Sequence, residues 1–202
     1  MSKVVITGFE PFDGSSVNPS EELVKSVDGK QIGGYQIVGK VIPLDYSKGL
    51  DIAKRAITEH EPKFILCCGQ ANRAAITLEF VGLNVRSTER EDNYGNKPET
   101  PVIKPSAPAA YFSTIDVHRI ANVLKKKGIP AGVSYHAGTY GCNWLLFSLL
   151  DWLSTSDLDI KMAFVHMPPL PGQAIEMNKL DLATMPLDTI TKAIEIIIES
   201  LE

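Results

Sequence analysis

The sequence predicts an α/β fold, with one domain over residues 1–202 and a largely parallel sheet covered by helices on both faces. Short apolar runs alternate with amphipathic helical patterns of about 10–15 residues, the spacing of βαβ units. Several of these runs are apolar at successive positions rather than at every second one, as strands buried on both faces are. The chain, at 202 residues, sits close to the ~150 typical of one domain and can bury a core without staples.

The elements follow in order. Lys3–Gly8 (KVVITG) is a short apolar run ending in glycine, hence a buried strand. Phe9–Pro19 is rich in Pro, Gly, Ser and Asn and predicts a loop. Asn18-Pro19-Ser20-Glu21 opens a helix, with Asn as cap, Pro at the first position and Glu21 completing a capping-box pattern. Tyr35–Leu44 alternates and predicts a strand. Leu50, Ala53 and Ile57 then share a helix face that stops before Pro62. Lys63–Gln70 (KFILCCGQ) is a buried strand, and Ala75–Arg86 predicts one further strand. Glu89–Pro108 holds four prolines and Gly95; an irregular stretch of that length usually serves function or covers something. Ser113 to Asp116 (S-x-x-D) predicts a helix start, followed by Val117, Ile120, Ala121 and Leu124 on one face, with Gly128 ending it. Ala131–His136 is a strand and Ala137–Gly141 a turn. Cys142–Leu153 is a helix apolar almost all round, hence buried. Lys161–Met167 is the last buried strand, stopped by PPLPG, and Pro186 opens a C-terminal helix with Ile190, Ile194, Ile197, Ile198 and Leu201 on one face. No internal repeat or low-complexity segment occurs.

Composition excludes several function classes. Lys+Arg is 20 against 24 Asp+Glu, a net charge of −4, which lacks the electrostatic footprint of a nucleic-acid binder. No run reaches the ~18 apolar residues of a membrane span, and the N-terminus has no signal-peptide core, so no membrane partner is expected. The cysteines Cys67, Cys68 and Cys142 are odd in number and two are adjacent, a poor disulfide framework. A reduced, cytoplasmic setting is expected. Metal-ligand spacings such as C-x-x-C and H-E-x-x-H are absent, as are the phosphate-loop and dinucleotide fingerprints, so no metal and no cofactor is expected.

In parallel sheets ligands bind beyond the carboxyl ends of strands, which directs attention to Phe9–Pro19, Gly69–Ala75, Ala137–Gly141 and His166–Gly172. Cys142 follows a strand and the turn AGTYG and begins a helix. There the dipole and unpaired N–H groups are expected to lower a thiol's pKa and can stabilise an oxyanion. Position alone is equally compatible with a buried small hydrophobe. His166 ends a buried strand and is either the general base for Cys142 or a satisfied core histidine. His60 and His118 lie on helix surfaces, and His136 precedes the turn. Glu79, inside ITLEFVGLN, is an expensive carboxylate unless paired; it either orients an imidazole or lies on the strand surface. Cys67 and Cys68, mid-strand, are packing residues. A nucleophile elbow needs small residues two positions either side of the nucleophile; Cys142 has Tyr140 and Trp144 there, which excludes that arrangement.

With these residues in hand, the chain resembles the type I pyroglutamyl peptidases (pyrrolidone-carboxylate peptidases). GFEPFDGSSVNPS resembles the family's G-F-x-P-F…N-P-S. Gly69-Gln70-Ala71 followed by ITLE is similar to G-Q-A…I-T-x-E. Asp92–Gly95 fits D-N-x-G, and Pro108–Thr114 fits P-A-A-Y-F-[AS]-T. AGTYGCN resembles A-G-T-[FY]-x-C-N, and FVHMPPLPGQ resembles F-[IV]-H-x-P-x-x-P-x-Q. The resemblance runs from Val4 to about Gln173. It implies an α/β/α sandwich around a twisted mixed sheet, assembled as a homotetramer. It also implies a cysteine peptidase that removes N-terminal pyroglutamyl (5-oxoproline) residues from peptides through a thioester acyl-enzyme, without metal or cofactor. Carried over by position, Cys142 is the nucleophile, His166 the base and Glu79 the orienting acid. Phe9 and Phe12 are carried over as pocket walls; Tyr140 is a candidate third wall and Gln70 a candidate partner for the lactam.

The chain departs from the family pattern at three places. Asn72–Ala75 (NRAA) is one residue shorter than the usual insert, and Gly141 replaces Val or Leu before the nucleophile. In gapless register Glu89 stands where relatives have an arginine, with Arg90 one step along; this predicts that backbone N–H groups at Cys142 hold the oxyanion without Arg90. The alternative function is that of a diverged homologue, with weak or altered N-acyl amide hydrolysis or with binding of pyroglutamyl ligands alone.

Overall fold

A computed structural model describes residues 1–202. In chain order the elements are β1 (Lys3–Phe9), α1 (Pro19–Val27), β2 (Gln31–Ile32), β3 (Tyr35–Ile42), α2 (Gly49–His60), β4 (Phe64–Gln70), β5 (Ile76–Glu79), β6 (Val81–Leu83), β7 (Ala110–Phe112), α3 (Val117–Lys126), β8 (Ala131–Ser134), α4 (Gly141–Ser154), β9 (Lys161–Met167), α5 (Pro171–Glu176) and α6 (Leu187–Glu199). The main sheet has seven strands in the order β2-β3-β1-β4-β9-β5-β8. Strands β3, β1, β4 and β9 run parallel; β5 runs against β9, and β8 follows β5. The sheet is therefore mixed, with a parallel centre and reversed edges.

Side chains alternate across the buried strands, and the alternation sorts them into two cores. On β4, Phe64, Leu66 and Cys68 join the larger apolar cluster with α1, α3 and α6. Ile65 and Cys67 face the other way, into a second cluster with α2 and α4. Helix α3 presents the anticipated face of Val117, Ile120, Ala121 and Leu124. The nearly all-apolar α4 is buried along most of its length, including Leu145, Leu146 and Leu149 at zero exposure. Three layers, helix–sheet–helix, result. Cys67 and Cys68 are both fully buried packing residues on opposite faces.

Local signals translate with some changes. The side-chain oxygen of Asn18 accepts the Ser20 N–H at 2.9 Å, and Pro19 occupies the first turn. Glu21 pairs with Lys25 at 3.1 Å rather than closing a capping box. The cap of α3 is Asp116, which accepts the Arg119 N–H, while the Ser113 hydroxyl donates to the Met162 carbonyl. A cap acts from the residue immediately before the helix, a place Asp116 holds and Ser113 does not. The stretch Ala75–Arg86 is not one strand: β5 belongs to the main sheet and β6 pairs with β7 in a separate ribbon. Apolar alternation marks a half-buried strand without choosing its partner, so the break at Phe80 carries no sequence signal. PPLPG does more than stop β9, because its second half starts α5 at Pro171. No helix is long and apolar enough to cross a membrane.

Candidate active site

Cys142 is the second residue of α4. The N-cap is Tyr140, in extended backbone conformation, and it gives no side-chain cap. Its hydroxyl instead donates to the Glu91 carbonyl at 2.6 Å. The N–H groups of the first turn thus lack intrahelical partners, as at any helix start. The Cys142 sulfur lies over Gly69, where a Cβ would come within 3.0 Å of Sγ. Any other residue at 69 would occupy the thiol's space. Gly69 is paired in register with His166 on the adjacent β9, so strand pairing brings nucleophile and imidazole together.

His166 is buried, and its Nδ1 lies 2.7 Å from Glu79 Oε1. A carboxylate can only accept, so Nδ1 carries the proton and Nε2 is left as the free nitrogen. The antiparallel register makes the contact: His166 faces Thr77 and Phe164 faces Glu79, so Glu79 and His166 are diagonal neighbours on one sheet face. Arg73, within the short NRAA insert, completes the cluster. It donates to Glu79 Oε1 at 2.8 Å, to Thr77 Oγ1 at 2.7 Å and, through its other nitrogen, to the His136 carbonyl at 2.9 Å. Burial pushes the Glu79 carboxyl upward, but His166, Ser134 and Arg73 outweigh it and hold the group below the usual carboxylate range. Glu79 is a buried, paired anion, not a strand-surface residue.

The thiol departs from expectation. Burial, with help from the Glu79 charge, pushes Cys142 up to about 12, against the pull of Arg73, Arg90 and its own backbone N–H. Desolvation outweighs the helix terminus here. The resting group is a thiol, and a base must take its proton as it attacks. Cys67, fully buried, is likewise pushed up to about 12, and burial raises Cys68 well above the usual thiol range.

A cleft of about 300 Å³ opens over these groups, lined by Phe12, Gln70, Arg90, Tyr140, Cys142 and His166 among others. Phe12 and Tyr140 meet edge to face at 6.4 Å. Phe9 does not line this cleft. It ends β1 at zero exposure and packs into the α2–α4 core, because the alternation of β1 turns it inward. The Arg90 guanidinium stacks 3.7 Å from the Tyr140 ring and pairs with Asp13 at 2.6 Å; Glu89 and Arg90 are both exposed, but only Arg90 lines the cleft. Residues 84–109 form neither helix nor strand, so strand alternation does not decide which side chain of this segment faces the cleft. The space a side chain at Gly141 would need is taken by the tip of the Leu44 side chain.

The long loop is clamped over the cleft. Both Asp92 oxygens accept hydrogen bonds, from the N–H groups of Tyr46, Tyr94 and Asn96 and from the Asn96 side chain. Asn93 Nδ2 donates to Glu10 Oε1 and to the Pro11 carbonyl, both at 2.8 Å, tying the loop to the segment that carries Phe12. Asn143, beside the nucleophile, is fully buried and exchanges hydrogen bonds with the backbone of Leu83 and Val85, fixing the β6 ribbon to α4. The D-N-x-G and C-N motifs are thus scaffolding for the cleft.

The family model described as "Pyroglutamyl peptidase" matches residues 2–202. A pyrrolidone-carboxylate peptidase of Bacillus thuringiensis (strain Al Hakam) is 42% identical over 201 residues, covering 98% of this chain and 92% of the relative. The crystal structure of pyroglutamyl peptidase I from Bacillus amyloliquefaciens superposes with a TM-score of 0.94 at 40% identity, covering 100% of this chain and 95% of that one. The pyrrolidone carboxyl peptidase of Thermococcus litoralis gives 0.94 at 36% identity, covering 100% and 93%. A mixed seven-stranded sheet shared over the whole chain, together with the family match from end to end, makes this chain a member of the pyroglutamyl peptidase family.

Proposed function

We propose that the chain is a cysteine exopeptidase that releases N-terminal pyroglutamate from peptides through a thioester acyl-enzyme. The observation that carries this reading is the 2.7 Å contact of His166 with a buried Glu79 on one strand pair, with the Cys142 sulfur above Gly69 on the next strand. Glu79 holds the imidazole with Nε2 toward the cleft. Nε2 takes the thiol proton, sulfur attacks the acyl carbon, and the protonated imidazole then delivers that proton to the leaving amine. Water, deprotonated by the same nitrogen, releases pyroglutamate and restores the thiol. The free N–H groups at the start of α4 and the Arg90 guanidinium supply the positive field for the oxyanion. Phe12 and Tyr140 suit the faces of an uncharged five-membered lactam, and Gln70 suits its polar edge.

A thiol nucleophile functions only in reduced form, which fits a cytoplasmic setting. We read the working assembly as a homotetramer; Phe112 and Tyr135, each about three-fifths exposed beside Phe80, are surface of the kind an interface buries. Light scattering tests this, and a monomer at working concentration refutes it. The catalytic reading is tested by chromophore release from a pyroglutamyl anilide against the matching prolyl anilide. Turnover of the first alone, abolished in a folded Cys142→Ala, is the expected result. Full activity in Cys142→Ala overturns the mechanism, and absence of turnover in the unsubstituted protein favours the ligand-binding homologue.

A further inference from the structure

Gln173 is fully buried at the start of α5, directly behind the cleft. Its orientation is settled by groups that have no choice of role. The Leu170 backbone N–H, which can only donate, reaches Gln173 Oε1 at 2.8 Å. The Val17 carbonyl, which can only accept, receives a hydrogen bond from Gln173 Nε2 at 3.2 Å. Nε2 is therefore the end that faces forward, where it also meets Ser15 Oγ at 2.9 Å and the Gln70 amide at 3.0 Å. Its two protons are shared among three acceptors, the Ser15 hydroxyl having given its own proton to the Val17 carbonyl; because an amide nitrogen cannot accept, Gln70 presents its oxygen, not its NH2 group, backward to Gln173. The Gln70 NH2 group is then left on the cleft side, and none of its hydrogen bonds is made within the protein, while Gln70 lines both the cleft over Cys142 and the adjoining cavity beside Gln173.

We propose that Gln173 is a positioning residue that locks the polarity of Gln70, so that the cleft offers a hydrogen-bond donor at this point and selects substrates with an acceptor there. The lock rests on the proposed activity only in naming the acceptor, the ring carbonyl oxygen of an N-terminal lactam. A freely rotating Gln70 would present its oxygen or its NH2 group about equally and would tolerate a ring N–H or a water in place of the carbonyl. The backbone anchors of Gln173 remove that freedom before substrate arrives, which is preorganisation at the recognition step.

Two variants and two readouts test it. Gln173→Met removes the forward donor and keeps the volume. It is expected to raise KM for a pyroglutamyl anilide about tenfold with kcat changed less than threefold, the scale of one neutral hydrogen bond. In a Gln70→Ala background the same substitution is expected to change KM less than twofold, because its effect passes through Gln70. Equal losses in both backgrounds overturn the proposal. Gln173→Glu keeps the side-chain volume and the acceptor for the Leu170 N–H but sets an acceptor against the Val17 carbonyl, so its fold is verified by circular dichroism before it is assayed. It presents an acceptor forward and so turns the Gln70 NH2 group backward, and KM is expected to rise more than in Gln173→Met; an unchanged KM overturns the lock. The second readout needs no turnover. In side-chain amide hydrogen exchange, the Gln173 NH2 protons are expected to be protected and those of Gln70 to exchange with solvent, and Gln173→Glu is expected to protect Gln70. The opposite pattern in the unsubstituted protein overturns the proposal, whatever the enzyme hydrolyses. Absence of turnover together with the expected exchange pattern sinks the assigned substrate and leaves the lock standing.

Discussion

Glu79 and His166 stand on paired strands at 0% and 3% exposure, joined to each other and, through Glu79, to Arg73. Phe12, Arg90 and Tyr140 stand on loops across the same cleft; Arg90 and its partner Asp13 have side chains 44% and 62% exposed. Strand register holds the first set, and losing one partner there strands a buried charge. The second set is held by loop clamps through Glu10, Asp92 and Asn93, and each clamp is a partly exposed hydrogen bond of modest worth. Proton transfer demands fixed distances and low dielectric, which a sheet provides. Recognition of a small ring tolerates adjustment, and loops suffice.

If that division is right, substitutions in the sheet-borne set should act mainly on kcat and those in the loop-borne set mainly on KM. The largest effect is expected from Glu79→Gln. The amide leaves the imidazole without its anion and can reverse its tautomer, and kcat should fall about 10³–10⁴-fold with little change in KM. The same residue sets an acid limit on stability. Its folded pKa lies below the unfolded value of about 4.3, so its contribution is fully present above that value and is lost as pH falls through the folded pKa. Glu79→Gln should therefore flatten the stability profile on the acid side in urea titrations; an unchanged acid slope would show that the pair does not contribute.

Alkylation separates the three thiols next. Cys142 is partly exposed while Cys67 and Cys68 are enclosed, so iodoacetamide should modify Cys142 over a hundredfold faster. With its pKa near 12, the Cys142 rate should keep rising, about tenfold per pH unit, beyond pH 9. A plateau below pH 8 in mass-spectrometric time courses would mean that the helix start and His166 ionise the thiol at rest.

Arg90→Ala crosses the boundary between the two sets, because this loop residue also contributes to the field at Cys142. A loss of about 10- to 100-fold in kcat/KM is expected, below the ~10²–10³ typical of losing one direct oxyanion donor. Glu89→Arg should stay within twofold, as that side chain is exposed. A smaller effect than that of Arg90→Ala is expected from Asn93→Ala, which releases the loop from Glu10 and Pro11. KM should rise about fivefold with kcat unchanged, the scale of two exposed hydrogen bonds of modest worth; a fall in kcat instead would place the clamp in the catalytic half.

Much of this molecule is determined by local pattern. The strands Lys3–Phe9 and Lys161–Met167, the caps at Asn18 and Gly128, and the buried character of α4 follow from hydrophobic period and turn chemistry, which are properties of neighbouring residues. The six spaced motifs likewise point to one family and to Cys142, His166 and Glu79 without any coordinates. Long-range placement decided the rest. That β5 runs against β9, which makes Glu79 a diagonal neighbour of His166, depends on a crossover no local signal encodes. Arg73 reaches Glu79 only because its loop folds back beside β5, and Phe9 and Phe12 part ways because one is the last residue of a strand and the other lies beyond it. Arg90 lines the cleft from a loop whose path no local pattern sets, and the thiol is pushed up because surrounding layers desolvate it. Desolvation and cross-strand register are sums over residues distant in the chain, and only the packed fold evaluates them.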